Sequence, residues 1–215
     1  MVNGVERRIH NLGIKQDCEV KPCSYDDVKP FILDIHYSHT MPTSIMYRYG
    51  LYDCGRLVGV VTYGRTAAPA PSVGMFGKQE KHRVIELNRL VLLPEYNGGN
   101  YTSYLVSHSL KMLPPGLGVI SYADLGGQGH TGCIYRACNF LYTGTTKPRT
   151  DIASASGGHA RHYQGDLTKR QIRTAKCRYV TFTGTKKDRQ MLRKMLRWEV
   201  KQYVPGEEWR RKEID

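Results

Sequence analysis

No stretch of this sequence is as long and apolar as a membrane span. The hydrophobic runs among its 215 residues all fall short of the about 20 consecutive apolar residues that cross a bilayer. Residues 1–18 are polar and charged, without the apolar centre of a secretory signal peptide. These absences argue against a helical membrane protein, and we expect the protein to remain in the cytoplasm of the cell that makes it.

Cysteine pairs at the spacing of a zinc site are also missing. The six cysteines stand at positions 18, 23, 54, 133, 138 and 177, and none forms a Cys-x-x-Cys pair. We therefore expect reduced, mostly buried thiols. His36 and His39 could share a metal with Glu86 or Asp124. Histidine pairs more often make capping or polar contacts, so no metal site is predicted.

Acidic residues are scarce relative to basic ones, with 19 Asp and Glu against 32 Lys and Arg. Residues 145–215 hold 18 of the basic and 8 of the acidic residues, a net charge of +10, against +3 for the first 144. Such a basic third predicts a polyanionic partner, nucleic acid before membrane, although a solvated basic face is the alternative. The candidate nucleic-acid contacts are Lys147, Arg149, Arg161, Lys169, Arg170 and Arg173.

Strand and helix patterns alternate along the chain, in the order β-α-β-β-β-α-β-α-β followed by a tail. Alternating apolar residues predict strands at 18–22, 47–53, 56–63, 84–93, 117–123, 140–145 and 177–183. Helices are predicted after Ser24, where residues 24–27 resemble a capping box with Asp in place of Glu, at 101–113, at 129–138 and after Thr185. Pro30 could kink the first of them. The last helix is expected to turn Met191, Leu192, Met195 and Leu196 inward. Residues 64–82 and 146–176 are predicted to be irregular.

A glycine turn opens the helix predicted at 101–113. It consists of Asn97, Gly98, Gly99 and Asn100. Unpaired backbone N–H groups and the helix dipole at such a turn can hold a phosphate or pyrophosphate. Glycines that only shape the turn are an equally good interpretation.

Residues 121–140, SYADLGGQGHTGCIYRACNF, combine a strand end, a glycine-rich turn and a helix. Asp124 stands where the strand ends, which is where open α/β sheets place their sites. Tyr135 on the helix could donate a proton to a leaving group. A turn cap for Asp124 and a packed aromatic for Tyr135 are the structural alternatives.

Three polar residues interrupt the apolar strand at 84–93. Strict alternation places Glu86 and Asn88 on one face and Arg89 on the other. Buried charge is costly without a partner, so a substrate-facing role is favoured, with Glu86 as a base acting directly or through water.

The element order, the glycine turn and the tyrosine on the later helix resemble the GNAT acyltransferase superfamily. The superfamily helix pattern Leu-Tyr-x-x-x-Gly-Phe matches residues 134–140, with Asn139 in place of glycine. Its pyrophosphate loop, Gln/Arg-x-x-Gly-x-Gly/Ala, is matched poorly by residues 97–102. The resemblance implies a mixed α/β (α+β) fold, a mostly antiparallel sheet with splayed central strands and flanking helices. It also implies acyl-CoA between the fourth and fifth strands.

Five ordered segments resemble the phage Mom family of DNA-modification proteins more closely. They are HYSHTMP, YRYGLYDCGRLVGVVTYG, IELNRLVLLPE, SYADLGGQGHTGCIYRACNFLYTG and RYVTFTGTKKDRQML. This resemblance implies conversion of adenine in double-stranded DNA to N6-carbamoylmethyladenine, which shields phage DNA from restriction in the host cytoplasm. The donor would be an acyl-CoA or a glycine-derived unit.

The Mom resemblance places His36, Asp124 and Tyr135 in or near the active site, and the strand argument adds Glu86 and Arg89. Tyr47 or Tyr49 would stack on the target base, and Ser121 and Asn139 would contact substrate. Residues 1–145 are predicted to form the catalytic core, and residues 146–215 a basic extension that completes the sheet and contacts DNA. An ordinary N-acetyltransferase and a non-catalytic nucleic-acid-binding protein are the alternative functions.

Overall fold

A seven-stranded sheet forms the centre of the protein. The computed structural model describes residues 18–97, 100–126, 131–152 and 170–204. The nine strands are β1 Cys18–Pro22, β2 Tyr47–Asp53, β3 Arg56–Gly64, β4 Val84–Leu92, β5 Gly118–Asp124, β6 Leu141–Thr145, β7 Arg149–Ile152, β8 Arg170–Arg173 and β9 Lys176–Phe182. The main sheet has the order β1-β2-β3-β4-β5-β9-β6, and β7 pairs with β8 in a separate ladder. Only β4 and β5 pair in parallel within the main sheet.

Five α-helices accompany the sheet within the described ranges. They are α1 Tyr25–Pro30, α2 Pro69–Phe76, α3 Tyr101–Met112, α4 Cys133–Ala137 and α5 Lys186–Met195. Single 3-10 turns occupy Lys81–Arg83 and Pro94–Tyr96. Among these elements, none has the length and apolarity that a membrane-crossing helix needs.

The predicted capping box at the first helix is confirmed. Ser24 Oγ accepts a hydrogen bond from the Asp27 N–H, and the Asp27 carboxylate accepts one from the Ser24 N–H. Pro30 does not end the helix. The chain continues as a π-helical turn, Phe31–Ile35, closed by a 3.0 Å bond from the His36 N–H to the Phe31 carbonyl. Pro30 has no N–H to donate to the preceding turn of the helix. The wider π-helical turn that follows accommodates this missing hydrogen bond.

The predicted loop at 64–82 was wrong, because α2 lies within it. Its Ala-Pro-Ala-Pro run suggested irregular chain, yet Pro69 and Pro71 both fall in the first turn of α2. First-turn N–H groups have no partner inside a helix, so proline costs nothing there. The helix predicted at 129–138 begins only at Cys133, because Gly132 adopts the left-handed conformation (φ 79°).

The two faces of the sheet are covered by different helices. On one face, α3 and α4 pack on the largest core cluster, which includes Leu105, Val119 and Tyr179. On the other face, α1 covers β3 and β4 around Val60, and α2 and α5 cover β5 and β9 around Ile120. β9 lies between β5 and β6, so residues 176–182 are an interior part of the main sheet.

A bulge in β4 changes which side chains share a face. Thr62 of β3 pairs with Arg89 and Tyr63 pairs with Leu87, so Asn88 is the additional residue. The prediction that Arg89 points away from Asn88 was therefore wrong. Both side chains reach the same segment, residues 36–46, which we call the α1–β2 loop.

The central strands separate soon after they begin. β4 and β5 pair only from Val84–Glu86 to Gly118–Ile120. Beyond this point β4 pairs with β3 alone and β5 with β9 alone. The separation opens a cleft through the sheet, the splay that the superfamily resemblance implies.

Candidate active site

Glu86 lies at the apex of the cleft, on the last residue of β4 that pairs with β5. Its carboxylate is half-buried and accepts a hydrogen bond from the Ala67 N–H. Burial raises the pKa of Glu86, and the positive charges of Lys176 and Arg89 oppose part of that rise. A carboxylate with a raised pKa inside a cleft is suited to accept a proton.

Tyr135 projects from α4 toward the same cleft. Its ring packs against Phe140 and Tyr179, with centroid distances of 5.4 and 5.5 Å. Burial raises the pKa of Tyr135 to about 12, the Ser121 hydroxyl opposes this, and Tyr37 and Glu86 add to it. The phenol is therefore protonated at neutral pH and can donate its proton.

Ser121 is the first residue of β5 beyond the paired region. It is fully buried, and its Oγ makes no hydrogen bond of ordinary geometry with the described residues, although the Tyr135 hydroxyl is close enough to be influenced by it. A buried hydroxyl without such a bond is costly unless something else satisfies it. The Tyr135 hydroxyl, whose pKa the Ser121 hydroxyl lowers, is the described neighbour that can satisfy it.

Arg89 fixes the α1–β2 loop over the cleft. Its Nε and Nη2 donate to the Thr40 carbonyl at 3.1 and 2.7 Å, and Nη1 donates to the Asn88 carbonyl at 2.7 Å. Asn88 Nδ2 donates to the Ser44 carbonyl at 2.9 Å. These three bonds give Arg89 a positioning role for the loop, and the substrate contact predicted from the sequence stays a prediction.

The loop presents His36 and Tyr37 at the cleft. The Ser38 N–H donates to His36 Nδ1 at 3.1 Å, which leaves the proton of the neutral ring on Nε2. The His36 and Tyr37 rings lie 4.3 Å apart at 30°. Tyr37 is 49% exposed and acts electrostatically on both Arg89 and Tyr135. The sequence reasoning missed Tyr37, although it stands inside the HYSHTMP segment.

Asp124 holds the end of β5 to the start of β9. Its Oδ1 accepts from Thr174 Oγ1 at 2.5 Å and from the Gly126 N–H at 2.9 Å, and Oδ2 pairs with Lys176 Nζ at 3.1 Å. Burial opposes ionisation of Asp124, but these three donors outweigh it and hold its pKa below the ordinary value. These contacts arrange Asp124 as a clamp between β5 and the start of β9, and its predicted place in the active site stays a prediction. Lys176 also acts on Glu86, which links the clamp to the cleft.

Replacing Asp124 by Asn is expected to lower the free energy of unfolding by about 1–3 kcal/mol at neutral pH, because charge-assisted hydrogen bonds are lost. The folded-state pKa of Asp124 is lowered, so its stabilisation is present above the ordinary carboxyl pKa and disappears as pH falls through the folded value. Urea unfolding at neutral and acidic pH measures the difference. Glu95→Gln, which removes an exposed ion pair with Arg56, is the control. Equal losses of unfolding free energy in Asp124→Asn and Glu95→Gln would contradict the role of Asp124 in holding β5 to β9.

The tyrosines predicted to stack on a base lie in the β2 strand. Tyr49 is 5% exposed, its hydroxyl donates to the Met112 carbonyl at 3.3 Å, and its ring meets Tyr63 edge-on. This packing leaves no free ring face. Tyr47 is half-buried against the same core cluster. Tyr37 is the aromatic side chain exposed at the cleft.

Asn139 follows the C-cap of α4 and is exposed, with φ at 59°. Asparagine tolerates this left-handed conformation better than most residues, which explains why it can replace the superfamily glycine. The position therefore shapes the turn into β6.

The glycine turn lies at the start of α3, and Gly98 and Gly99 fall outside the described residues. Asn100 occupies the N-cap without a side-chain cap bond, so the first N–H groups of this 12-residue helix are left for another acceptor. Asn97 is exposed beside it. A phosphate of a donor fits such a helix start.

The structure describes four of the six residues that were predicted to contact nucleic acid. Lys147 is exposed, and Arg149 of β7 pairs in register with Arg173 of β8, beside Arg170 on the same strand. Arg161 and Lys169 lie outside the described residues. In the part of the chain that the structure describes, no three His, Cys, Asp or Glu side chains are grouped as metal ligands.

Arg89→Lys is expected to loosen the α1–β2 loop, because one ammonium cannot hold the Thr40 and Asn88 carbonyls in the same fork geometry. Limited proteolysis within residues 36–46 should become faster, and activity should fall by about 10–100-fold, as expected for misplaced groups. Arg48→Lys, which affects a single 3.3 Å bond to Cys23, is the control. Lost activity with unchanged proteolysis would instead mean that Arg89 touches substrate.

Three solved acetyltransferases resemble this chain in overall arrangement. An N-acetyltransferase of Staphylococcus aureus Mu50 is 10% identical, with a TM-score of 0.46, over 78% of this chain and 99% of that chain. Arabidopsis thaliana NAA60, in complex with acetyl-CoA, is 12% identical, with a TM-score of 0.48, over 77% and 99%. The putative acetyltransferase yncA of Salmonella typhimurium, with acetyl-CoA, is 8% identical, with a TM-score of 0.48, over 79% and 96%. Nothing about activity follows from similarities this distant.

The sequence comparisons identify the family more directly. No curated protein sequence matches the chain. A family model does match it, over residues 17–204, which is most of the length and includes every strand of the main sheet. The chain therefore belongs to the Mom protein family.

Proposed function

We propose that this protein is a transferase that modifies adenine in double-stranded DNA, with N6-carbamoylmethyladenine as its product. The observation that carries the proposal is the meeting of Glu86 and Tyr135 in the cleft between β4 and β5. One group has a raised pKa suited to accept a proton, and the other is a protonated phenol suited to donate one. Membership of the Mom protein family supports a role in DNA modification.

The target base has to leave the duplex stack before it can enter such a cleft. The exposed Tyr37 ring, stacked beside His36, offers a surface at the mouth against which a base can lie. The α1–β2 loop, held by Arg89, keeps that surface in place.

Glu86 would take a proton from the adenine N6 amine as nitrogen forms its bond to the donor carbon. Tyr135 would give its proton to the leaving group, whose bond to that carbon breaks in the same exchange. Ser121 would hydrogen-bond the donor close to the point of transfer. These roles need no new charge to be buried, because one proton enters the site's base as another leaves its acid.

The donor would be an acyl-CoA or a glycine-derived unit, and the carbon that it transfers has to be a methylene that carries the leaving group. The uncapped start of α3 can hold its phosphates, and the splayed strands leave room for an extended chain between them. Transfer of a simple acetyl group would leave an amide on N6, whereas the carbamoylmethyl product has a methylene there. The donor must therefore deliver a methylene carbon to the nitrogen.

Expression in bacteria followed by digestion of the DNA to nucleosides and mass spectrometry tests the proposal. A modified adenosine with the mass of an added carbamoylmethyl group is expected. It should disappear in Tyr135→Phe and persist in Tyr49→Phe, which removes a hydroxyl bonded only in the core. Unmodified DNA from a folded, well-expressed protein would count against the proposal, and acetylation of an amine without DNA would replace it with an ordinary N-acetyltransferase.

A further inference from the structure

We infer that a basic groove between α3 and α5 is a docking surface for the DNA backbone, separate from the reaction cleft. The inference rests on the proposed function for the identity of the polyanion. The groove has a volume of about 800 Å³ and lies where α3, the end of β9 and α5 come together. Lys147, a nucleic-acid residue predicted from the sequence whose side chain the structure describes, does not line it.

The charge of the groove has one sign. Four basic side chains line it, and among the described residues no aspartate or glutamate does. They are Lys111, Lys186, Arg189 and Arg193. Within residues 18–97, 100–126, 131–152 and 170–204, none of the four forms an ion pair. A concave, unneutralised basic surface attracts a polyanion and releases counterions when one binds.

The basic residues of α5 follow a single stripe. Lys186, Arg189, Gln190 and Arg193 line the groove at positions i, i+3, i+4 and i+7. Seven residues of helix span about 10 Å, which equals the rise of about three base pairs along a DNA duplex. The hydroxyl of Thr181 adds a neutral group that can contact phosphate.

Leu192 on the opposite stripe is fully buried and fixes α5 to the sheet, so the basic stripe is held on a rigid element. Met191, which was predicted to face inward, is 46% exposed. The helix therefore buries a narrow apolar seam and leaves a wide basic surface.

Helix α4 lies between the groove and the cleft. It contributes Tyr135 to the cleft, while Cys138 and Asn139 at its end line the groove. Ser107 of α3 bonds the Cys138 thiol at 3.5 Å, which ties the two helices together. A duplex held in the groove thus lies next to the helix that carries the proposed acid, and the groove can orient the strand from which the base is taken.

The test compares two double substitutions with the same change of charge on the same helix. Arg189→Gln with Arg193→Gln removes groove residues. Lys187→Gln with Lys194→Gln removes exposed residues that do not line the groove. Binding of a labelled, unmodified duplex is measured by fluorescence anisotropy over a range of salt concentrations, with circular dichroism to confirm equal folding.

The slope of log Kobs against log salt should become shallower by about 2 for the groove pair, at about 0.9 per phosphate contact, and by clearly less for the control pair. Equal changes in the two pairs would indicate a diffuse basic face and overturn the inference. Competition with the duplex by ADP, supplied at the same concentration of phosphate groups, would indicate a nucleotide site and would also overturn the inference. If the groove variant binds DNA with the affinity and salt dependence of the unaltered protein, and the unaltered protein modifies adenine, the inference fails and the proposed function stands. DNA binding through the groove without any modified adenine would leave the groove intact and defeat the proposed function.

Discussion

Tyr135→Phe is expected to lower the rate of adenine modification by about 100-fold or more, the usual contribution of a positioned general acid. The substitution removes one hydroxyl and keeps the ring, whose contacts with Phe140 and Tyr179 support the fold. Folding should therefore be unchanged. The rate is measured as modified adenine per total adenine after timed expression, with Tyr49→Phe as the control.

The pH dependence of the reaction adds a second check on this role. Because burial raises the pKa of Tyr135 to about 12, the phenol stays protonated through the neutral and mildly alkaline range. No loss of rate from its ionisation is expected between about pH 7 and about pH 10. A decline with a midpoint near the ordinary tyrosine pKa, absent in Tyr135→Phe, would contradict the environment assigned to Tyr135.

Glu86→Gln is expected to reduce the rate by about 100- to 10,000-fold, because glutamine cannot accept the proton from N6. Glutamine keeps the shape and can still accept the hydrogen bond from the Ala67 N–H. Binding of DNA should remain, so the loss should appear in the rate of modification and not in the affinity. Glu95→Gln, at an exposed position, is the control. A variant that retains its rate would remove Glu86 from the mechanism.

The same substitution is expected to increase the free energy of unfolding at neutral pH. Burial raises the folded-state pKa of Glu86 above its ordinary value of 4.5, so the fold favours the protonated form. The stabilisation from that proton is present below the unfolded pKa and is lost as pH rises through the folded pKa. At neutral pH the protein thus bears the cost of a half-buried charge, and Gln removes it.

The rate of the reaction should rise with pH through the same raised pKa of Glu86, because only the ionised carboxylate accepts a proton.

The parts of the fold that depend on local chemistry were predictable from the sequence. The Ser24 capping box and the helix start at Thr185 were recognised because each signal is complete within four residues. Alternating apolar residues located the seven strands of the main sheet to within a residue or two at each end. The β7–β8 ladder was not predicted, because its residues do not alternate between apolar and polar types. Its pairing also joins two strands that are distant in the sequence, which a local pattern does not show.

The candidate site could be chosen from local signals, but its internal contacts could not be predicted. Glu86 and Tyr135 were chosen because a charge in an apolar strand and a tyrosine after a glycine turn are local signals, and their catalytic roles stay predictions. The side to which Arg89 points depends on a bulge set by pairing with β3, which the apolar periodicity does not reveal. Asp124 was placed correctly at a strand end. Its partners Thr174 and Lys176 lie about 50 residues away, so the contacts that make it a clamp could not be predicted from its neighbours in the sequence.

The position of β9 has a consequence for synthesis of the protein. β5 forms one wall of the cleft, and its second edge is paired by Lys176–Phe182, which the ribosome makes long after β5 itself. Until then β5 presents an open row of backbone donors and acceptors, the kind of edge that invites association with other chains. This wall of the cleft is therefore completed late, and a nascent chain that stops before residue 176 carries Glu86 and Tyr135 without an assembled cleft. The wall can be completed only after translation has passed residue 182.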